Sequence, residues 1–189
     1  MYSREHPWLT ISKWIYANIP TNAAIAVEHW DDVLPAPMRT GNATHAPSEY
    51  KMLILPMYDV DDATKLETLV NTLTECDYII LATHRLSTPI TRLPQRYPIS
   101  SRYYDLLFGG QLGFELVAFA RNDIALGSLI IQDERFTNGT HPGLPQSNAL
   151  VWNWGYADES FTVYDHPLPL VFQKTHTLSH DELRARIAP

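Results

Sequence analysis

The chain has 189 residues, a length typical of a single domain, and its 45% hydrophobic content is sufficient for one core. Acidic residues outnumber basic ones by 21 to 14, and the net charge of −7 argues against a nucleic-acid-binding protein, which needs a basic contact surface. No apolar stretch approaches the roughly 20 residues that cross a bilayer, and no apolar segment follows Met1, so we expect a water-soluble chain.

The first part of the chain predicts a helix followed by two strands. Pro7–Ile19 carries apolar residues at helical spacing, and proline suits the first turn of a helix. Ala24–Glu28 is a short strand-like run, and Met52–Leu55 is a second one. Between them, Leu34–Pro47 is rich in proline and in other turn-forming residues, which predicts a surface loop.

A strand–helix–strand unit is predicted next. A helix opens at Asp61 and Asp62, and its apolar residues repeat at helical spacing. Tyr78–Ala82 is continuously apolar, as expected of a strand covered on both faces. We therefore predict that Met52–Leu55 and Tyr78–Ala82 form a parallel βαβ pair. We also expect Ala24–Glu28 to run parallel to Tyr78–Ala82, with both carboxyl ends at the same edge.

The remainder completes a single α/β domain over residues 1–189. The further predicted elements are a loop over Thr83–Pro98, a helix over Ser100–Phe108, strands over Phe114–Ala120 and Leu168–Gln173, and a last helix whose capping box is Ser179 and Glu182. Residues 122–156 are irregular, with one strand-like patch at Ser128–Ile131. The predicted fold is a three-layer α/β sandwich with a mostly parallel central sheet, Rossmann-like but without a nucleotide fingerprint.

Several catalytic and cofactor signatures are missing from the sequence. No glycine-rich phosphate loop follows any predicted strand, and neither G-x-S-x-G nor H-E-x-x-H occurs. The single cysteine, Cys76, excludes an internal disulfide and a cysteine-based zinc site. We therefore predict no cofactor and no metal in this chain.

Acidic residues follow the first predicted strand. Glu28, Asp31 and Asp32 would lie outside the carboxyl end of that strand, where functional crevices of open α/β sheets are found. Paired carboxylates there can bind a metal or act as acid and base. The alternative is a helix cap or a solvated turn.

A basic cluster follows the strand Tyr78–Ala82. His84 and Arg85 come first, then Arg92, Arg96 and Arg102, so that four of the ten arginines fall within residues 85–102. The rigid guanidinium fork suits a phosphate or carboxylate group, so this cluster and the acidic one form our candidate binding crevice. The alternative, which we favour slightly, is that the two clusters pair with each other and are purely structural.

A third polar group occurs in Ala157–Pro167. Asp158, Glu159, Asp165 and His166 have side chains that bind metals. The intervening residues alternate as they do in a strand, so the acidic and histidine side chains would then only mark its ends. We favour that second interpretation.

Several of these segments resemble one enzyme family. The similarity is to the soluble region after the last membrane span in bacterial glycosyltransferases of the protein O-mannosyltransferase type. It is carried by Trp14–Pro20, Glu28, Trp30–Asp32, Leu93–Pro98, Tyr103–Tyr104, Leu107–Phe108, Leu112–Phe114 and Ala157–Pro167.

The resemblance implies a role at the extracytoplasmic face of the cell membrane. Such enzymes transfer a sugar from a polyprenyl-phosphate carrier, and their catalytic acid lies between early membrane helices that are absent here. The chain would then be a non-catalytic accessory domain. Its partners would be the membrane-spanning catalytic part of the same parent chain and the acceptor or lipid-linked sugar head group. Two alternatives are a small hydrolase using Glu28, Asp31, Asp32 and His84, and a cell-envelope interaction module.

Overall fold

The structure is a computed structural model that describes residues 4–29, 33–122, 124–126, 129–132, 150–153 and 167–189. Its helices are α1 (Pro7–Asn18), α2 (Ala63–Glu75), α3 (Ser87–Thr91), α4 (Pro98–Phe108) and α5 (His180–Ile187). Its strands are β1 (Ala24–Glu28), β2 (Met38–Thr40), β3 (Ala43–His45), β4 (Lys51–Leu55), β5 (Tyr78–Leu81), β6 (Phe114–Phe119), β7 (Ile124–Leu126), β8 (Leu129–Gln132), β9 (Leu150–Asn153) and β10 (Leu170–Lys174).

The main sheet has five strands in the order β4-β1-β5-β10-β6. β1 is parallel to both β4 and β5, so the predicted parallel arrangement of Ala24–Glu28 and Tyr78–Ala82 is confirmed. β10 is antiparallel to β5 and to β6. Four strands therefore run in one direction, and their carboxyl ends form one edge of the sheet, which we call the carboxyl edge.

Helices cover both faces of this sheet. Successive strand residues point to opposite sides, so each strand contributes side chains to both helical layers. On one face, Ala26 and Ile79 pack with the apolar sides of α2, α4 and α5. On the other, Ile25 and Ile80 pack with the buried stripe of α1. The central strands β1 and β5 are buried along their whole length. The chain thus forms the expected α/β fold with helices on both faces of the sheet, and the sheet itself is mixed, with a parallel core of β4, β1 and β5.

Hydrogen bonds hold the start of helix α1 and the residues before it at the carboxyl edge. The side chain of His6 accepts a hydrogen bond from the backbone nitrogen of Trp8 and caps the helix. The indole Nε1 of Trp8 donates to the carbonyl oxygen of Ala82, just after β5, at 2.9 Å. The side-chain amide of Asn122, which follows β6, donates to the carbonyl oxygen of Glu5 at 2.9 Å. Residues 5–8 therefore lie at the carboxyl edge.

Some connections differ from the sequence-based expectation. β4 and β5 are parallel and joined through α2, but they are not neighbours, since β1 lies between them. The predicted loop over Leu34–Pro47 contains the antiparallel hairpin β2–β3. The region 122–156 contains β7, β8 and β9, which form a second sheet in which β8 overlaps the predicted strand patch. Among the helices of the described residues, none is long and apolar enough to span a membrane.

Candidate functional site

Glu28 occupies the centre of the carboxyl edge. It is the last residue of β1, and it is only 3% exposed. The hydroxyl of Tyr104, which is fully buried on α4, donates a hydrogen bond to its Oε1. A carboxylate held in this way by the helical layer is shielded from solvent, so it is poorly placed to reach a dissolved substrate.

Tyr103 adjoins this contact. Its ring centre lies 5.0 Å from that of Tyr104, and its side chain is fully buried. Burial, together with the nearby negative charge of Glu28, raises the pKa of the Tyr103 hydroxyl well above its usual value. Within the described part of the chain, this hydroxyl has no hydrogen-bond partner. A buried hydroxyl in that situation destabilises the fold by about 1–3 kcal/mol.

Asp61, in the connection after β4, binds the start of α4 at the same edge of the sheet. Its carboxylate accepts hydrogen bonds from the backbone nitrogens of Ile99 and Ser100 at 2.8 and 3.0 Å, and so it caps the first turn of α4. The hydroxyl of Ser100 donates to it at 2.6 Å, and the ammonium group of Lys65 lies 2.7 Å away. The contact joins the connection after β4 to the start of α4 and fixes the polar groups between them.

This ion pair is almost completely buried. The side chains of Lys65 and Asp61 are 1% and 4% exposed. Lys65 also donates to the carbonyl oxygens of Met57 and Asp59, at 3.0 and 2.9 Å, so its charge is well solvated by the protein. Burial works against ionisation of Asp61, but the hydrogen bonds from Lys65 and Ser100 outweigh it and lower the pKa of the carboxyl. The sequence marked Asp61 only as the start of α2, whereas the N-cap of α2 is Asp62.

The basic residues of the predicted crevice separate in the structure. His84 and Arg85 are half-buried and follow β5 at the carboxyl edge. The backbone nitrogen of Arg85 donates to the hydroxyl of Thr83 at 3.1 Å, while its guanidinium group forms no ion pair with a described carboxylate. Arg92 is exposed in the segment after α3.

Arg102 does not join this group. It is exposed on α4, and its Nε donates to the carbonyl oxygen of Arg186 in the last turn of α5. The structure thus brings Glu28, His84 and Arg85 to one edge and places Arg102 where α4 meets α5. Asp31 and Asp32 lie outside the described residues, as do Asp158, Glu159, Asp165 and His166. Over the ranges that are described, no group of three or more metal-binding side chains occurs.

A cavity of about 550 Å³ lies at the opposite edge of the sheet. Its lining is mostly polar and comprises Pro20, Thr21, Asn22, Ala23, Asp77, Tyr78, Gln173, Lys174, Thr175 and Thr177. The carboxylate of Asp77 accepts from the backbone nitrogen of Ala24 at 2.9 Å, and the ammonium of Lys174 donates to the carbonyl of Thr74 at 2.9 Å. Both charged groups therefore form hydrogen bonds within the domain.

Sequence reasoning missed this cavity. It forms where β10 lies beside β5, and that pairing joins residues far apart in the chain. No local sequence motif predicts a contact between residues so far apart. Comparisons of the chain with protein-family models, with curated proteins and with solved structures find no match.

Proposed function

We propose that this chain is the accessory domain of a membrane-embedded glycosyltransferase that uses a polyprenyl-phosphate-linked sugar. In this proposal the domain lies on the extracytoplasmic face, assists acceptor recognition and does not catalyse alone. The resemblance of its segments to that enzyme family suggests the parent reaction. The observation that carries the non-catalytic role is the state of Glu28, which is 3% exposed and bonded to Tyr104.

The entry point of the chain supports an orientation for this domain. Glu5 and Trp8 are hydrogen-bonded to residues at the carboxyl edge, next to His84 and Arg85. A membrane span preceding α1, as the resemblance implies, would direct this edge towards the bilayer and the catalytic part. The half-buried Arg85 would then face the anionic group of a lipid-linked substrate.

The sheet order supports a Rossmann-like relationship, which is part of the proposal. Counted along the chain, the main strands have the order 2-1-3-5-4. The first three match the start of the doubly wound order 2-1-3-4-5, in which ligands bind at the carboxyl ends of strands 1 and 3. Those positions correspond here to the ends of β1 and β5. The inserted antiparallel β10 is the difference.

The alternative of a free-standing hydrolase is less well supported. It requires Glu28 to meet a substrate, and the Tyr104 hydrogen bond and burial of that carboxylate work against this. His84 lies at the same edge, but Asp31 and Asp32 are outside the described residues. A hydrolytic dyad therefore has no geometric support in the described part of the chain.

Activity measurements on two samples test the proposal. The purified chain, incubated with a polyprenyl-phosphate-linked sugar and a range of acceptors, should transfer no more sugar than a heat-denatured control. The full-length parent enzyme should lose efficiency towards its lipid-linked sugar when Arg85 is replaced by alanine, and Arg39→Ala in the β2–β3 hairpin should leave it unchanged. Clear turnover by the chain alone would contradict the accessory role.

A further inference from the structure

The cavity opposite the carboxyl edge is built largely from the ends of main-sheet strands. Ala23 and Asp77 precede β1 and β5, Tyr78 begins β5, and Gln173 and Lys174 end β10. In the β10–β5 pair, Gln173 lies opposite Tyr78, and the backbone nitrogen of Lys174 donates to the carbonyl oxygen of Asp77 at 2.8 Å. Hydrogen bonds of the sheet therefore fix these walls, so little ordering is needed when a ligand binds.

Much of the lining has unused hydrogen-bonding capacity. The side chains that form no hydrogen bond with a described residue are those of Thr21, Asn22, Tyr78, Gln173 and Thr177. Their hydroxyl and amide groups can both donate and accept. Asp77 adds an acceptor, because only its Oδ2 is used by the backbone nitrogen of Ala24.

Tyr78 contributes both an apolar ring and a polar group. Its side chain belongs to the core beneath α1 and is 9% exposed. Burial, and after it the negative charge of Asp77, raises the pKa of the Tyr78 hydroxyl. The hydroxyl therefore stays protonated at neutral pH and can donate a hydrogen bond to a ligand.

The charges of the lining do not favour a charged ligand. Asp77 supplies one negative charge and Lys174 one positive charge, and the ammonium of Lys174 lies 5.4 Å from the ring centre of Phe114. On β6, Glu115 lies opposite Gln173 and adds a negative charge beside the cavity. An anionic ligand would meet these carboxylates, and a cationic ligand would meet the lysine. The electrostatics thus select a ligand without net charge.

We propose that this cavity binds a neutral carbohydrate of one or two sugar units. Each sugar hydroxyl both donates and accepts, which matches a lining of hydroxyls, amides and one open carboxylate oxygen. Pro20, Ala23 and the ring of Tyr78 offer apolar contacts to the C–H groups of a sugar ring. The volume of about 550 Å³ lies in the range of small-molecule sites. The inference rests on this cavity alone and does not require the accessory role proposed above.

A titration of the isolated chain followed by nuclear magnetic resonance tests the ligand class. Methyl α-glucoside, methyl α-mannoside and maltose should shift the backbone amide signals of Asn22, Tyr78 and Gln173. Dissociation constants of the order of 1 mM are expected for the monosaccharides, because an open site makes few contacts per ligand atom. Sodium phosphate and glycine betaine are the anionic and zwitterionic comparisons and should leave these signals in place. Absence of shifts with all three sugars, or equal shifts with either comparison, would overturn the proposal.

Matched variants locate the binding. Tyr78→Phe keeps the buried ring and removes only the hydroxyl, so it should weaken sugar binding about fivefold, the effect of one lost hydrogen bond. Gln173→Ala should weaken it by at least as much. The exposed residues Tyr58 and Gln95 lie outside this cavity, so Tyr58→Phe and Gln95→Ala should leave the affinity unchanged. Equal affinities within either matched pair would refute the site. The sugar-transfer assays described above judge the accessory role separately, so a failure here leaves that role untouched.

Discussion

Tyr104 on α4 donates a hydrogen bond to the carboxylate of Glu28 at the end of β1, and so links the helical layer to the central strand. Its neighbour Tyr103 is equally buried but has no hydrogen-bond partner for its hydroxyl within the described structure. Two adjacent tyrosines thus have opposite energetic roles, although nothing in the sequence distinguishes them.

The tyrosine pair gives a direct test of this difference. Tyr104→Phe should destabilise the protein by about 1–3 kcal/mol, because a buried carboxylate loses its donor. Tyr103→Phe removes a buried, unpartnered hydroxyl and should be neutral or stabilising. Urea denaturation of both variants measures the difference. A larger loss for Tyr103→Phe than for Tyr104→Phe would contradict the hydrogen-bonding described here.

Replacing Asp61 should be much more damaging than replacing Asp62. Asp61→Asn leaves the buried ammonium group of Lys65 without its counter-charge, which costs about 3–5 kcal/mol. Asp62→Asn is the matched control, because asparagine caps a helix as well as aspartate does. Equal unfolding free energies of the two variants would show that the ion pair contributes nothing.

The Asp61 carboxyl also makes the unfolding free energy depend on pH. The pKa of Asp61 is lower in the folded protein than its ordinary value, so the unfolded state binds the proton more readily. Its contribution is fully present above the unfolded pKa of about 3.9 and is lost as the pH falls through the folded pKa. Unfolding free energies measured from pH 6 downwards should fall more steeply for the wild type than for Asp61→Asn. Parallel curves would count against this linkage.

Arg85 should contribute little to stability. Its guanidinium group forms no ion pair with a described carboxylate, so Arg85→Ala should change the unfolding free energy by less than about 1 kcal/mol. The structural alternative, in which the arginines pair with the acidic cluster, predicts a loss of roughly 3–5 kcal/mol. Thermal melting distinguishes the two, with Arg39→Ala as the exposed control.

Gly113 is the most constrained glycine of the described chain. It has a φ of +79°, and a Cβ there would overlap the carbonyl oxygen of His176. Gly113→Ala should therefore cost about 2–4 kcal/mol, from the left-handed backbone and the overlap together. Gly110 has a φ of +66° with open space around it, so Gly110→Ala should cost only about 1–2 kcal/mol. Denaturation that ranks them in reverse would be inconsistent with this geometry.

Elements with a strong local signal were predicted well from the sequence. α1 begins at Pro7 as its apolar spacing indicates, and the Ser179–Glu182 capping box starts α5 as expected. The continuously apolar Tyr78–Ala82 is a fully buried strand. Periodicity and capping depend on residues a few positions apart, so one sequence is enough to show them.

Features that depend on distant residues were not predictable in this way. The apolar Leu168–Gln173 run predicts a strand but not its direction, and β10 is antiparallel within a mostly parallel sheet. Asp61 bonds to Ser100, which is 39 residues away, so its cap on α4 leaves no local pattern. Glu28, His84 and Arg85 lie at one edge because the ends of β1 and β5 meet there, and their role as a binding crevice stays a prediction. Arg102 lay on a predicted helix whose orientation was unknown.

The insertion of β10 between β5 and β6 has a consequence for biosynthesis. β6 pairs with β10 alone in the main sheet, so it has no strand partner until residues 120–169 and β10 itself have emerged from the ribosome. During that interval its backbone edge and its apolar side chains, including Phe114, can form non-native contacts. The parallel β4-β1-β5 unit is complete much earlier. Nascent chains of this protein should therefore need chaperone protection mainly at β6, and products truncated before residue 170 should be prone to aggregation and degradation.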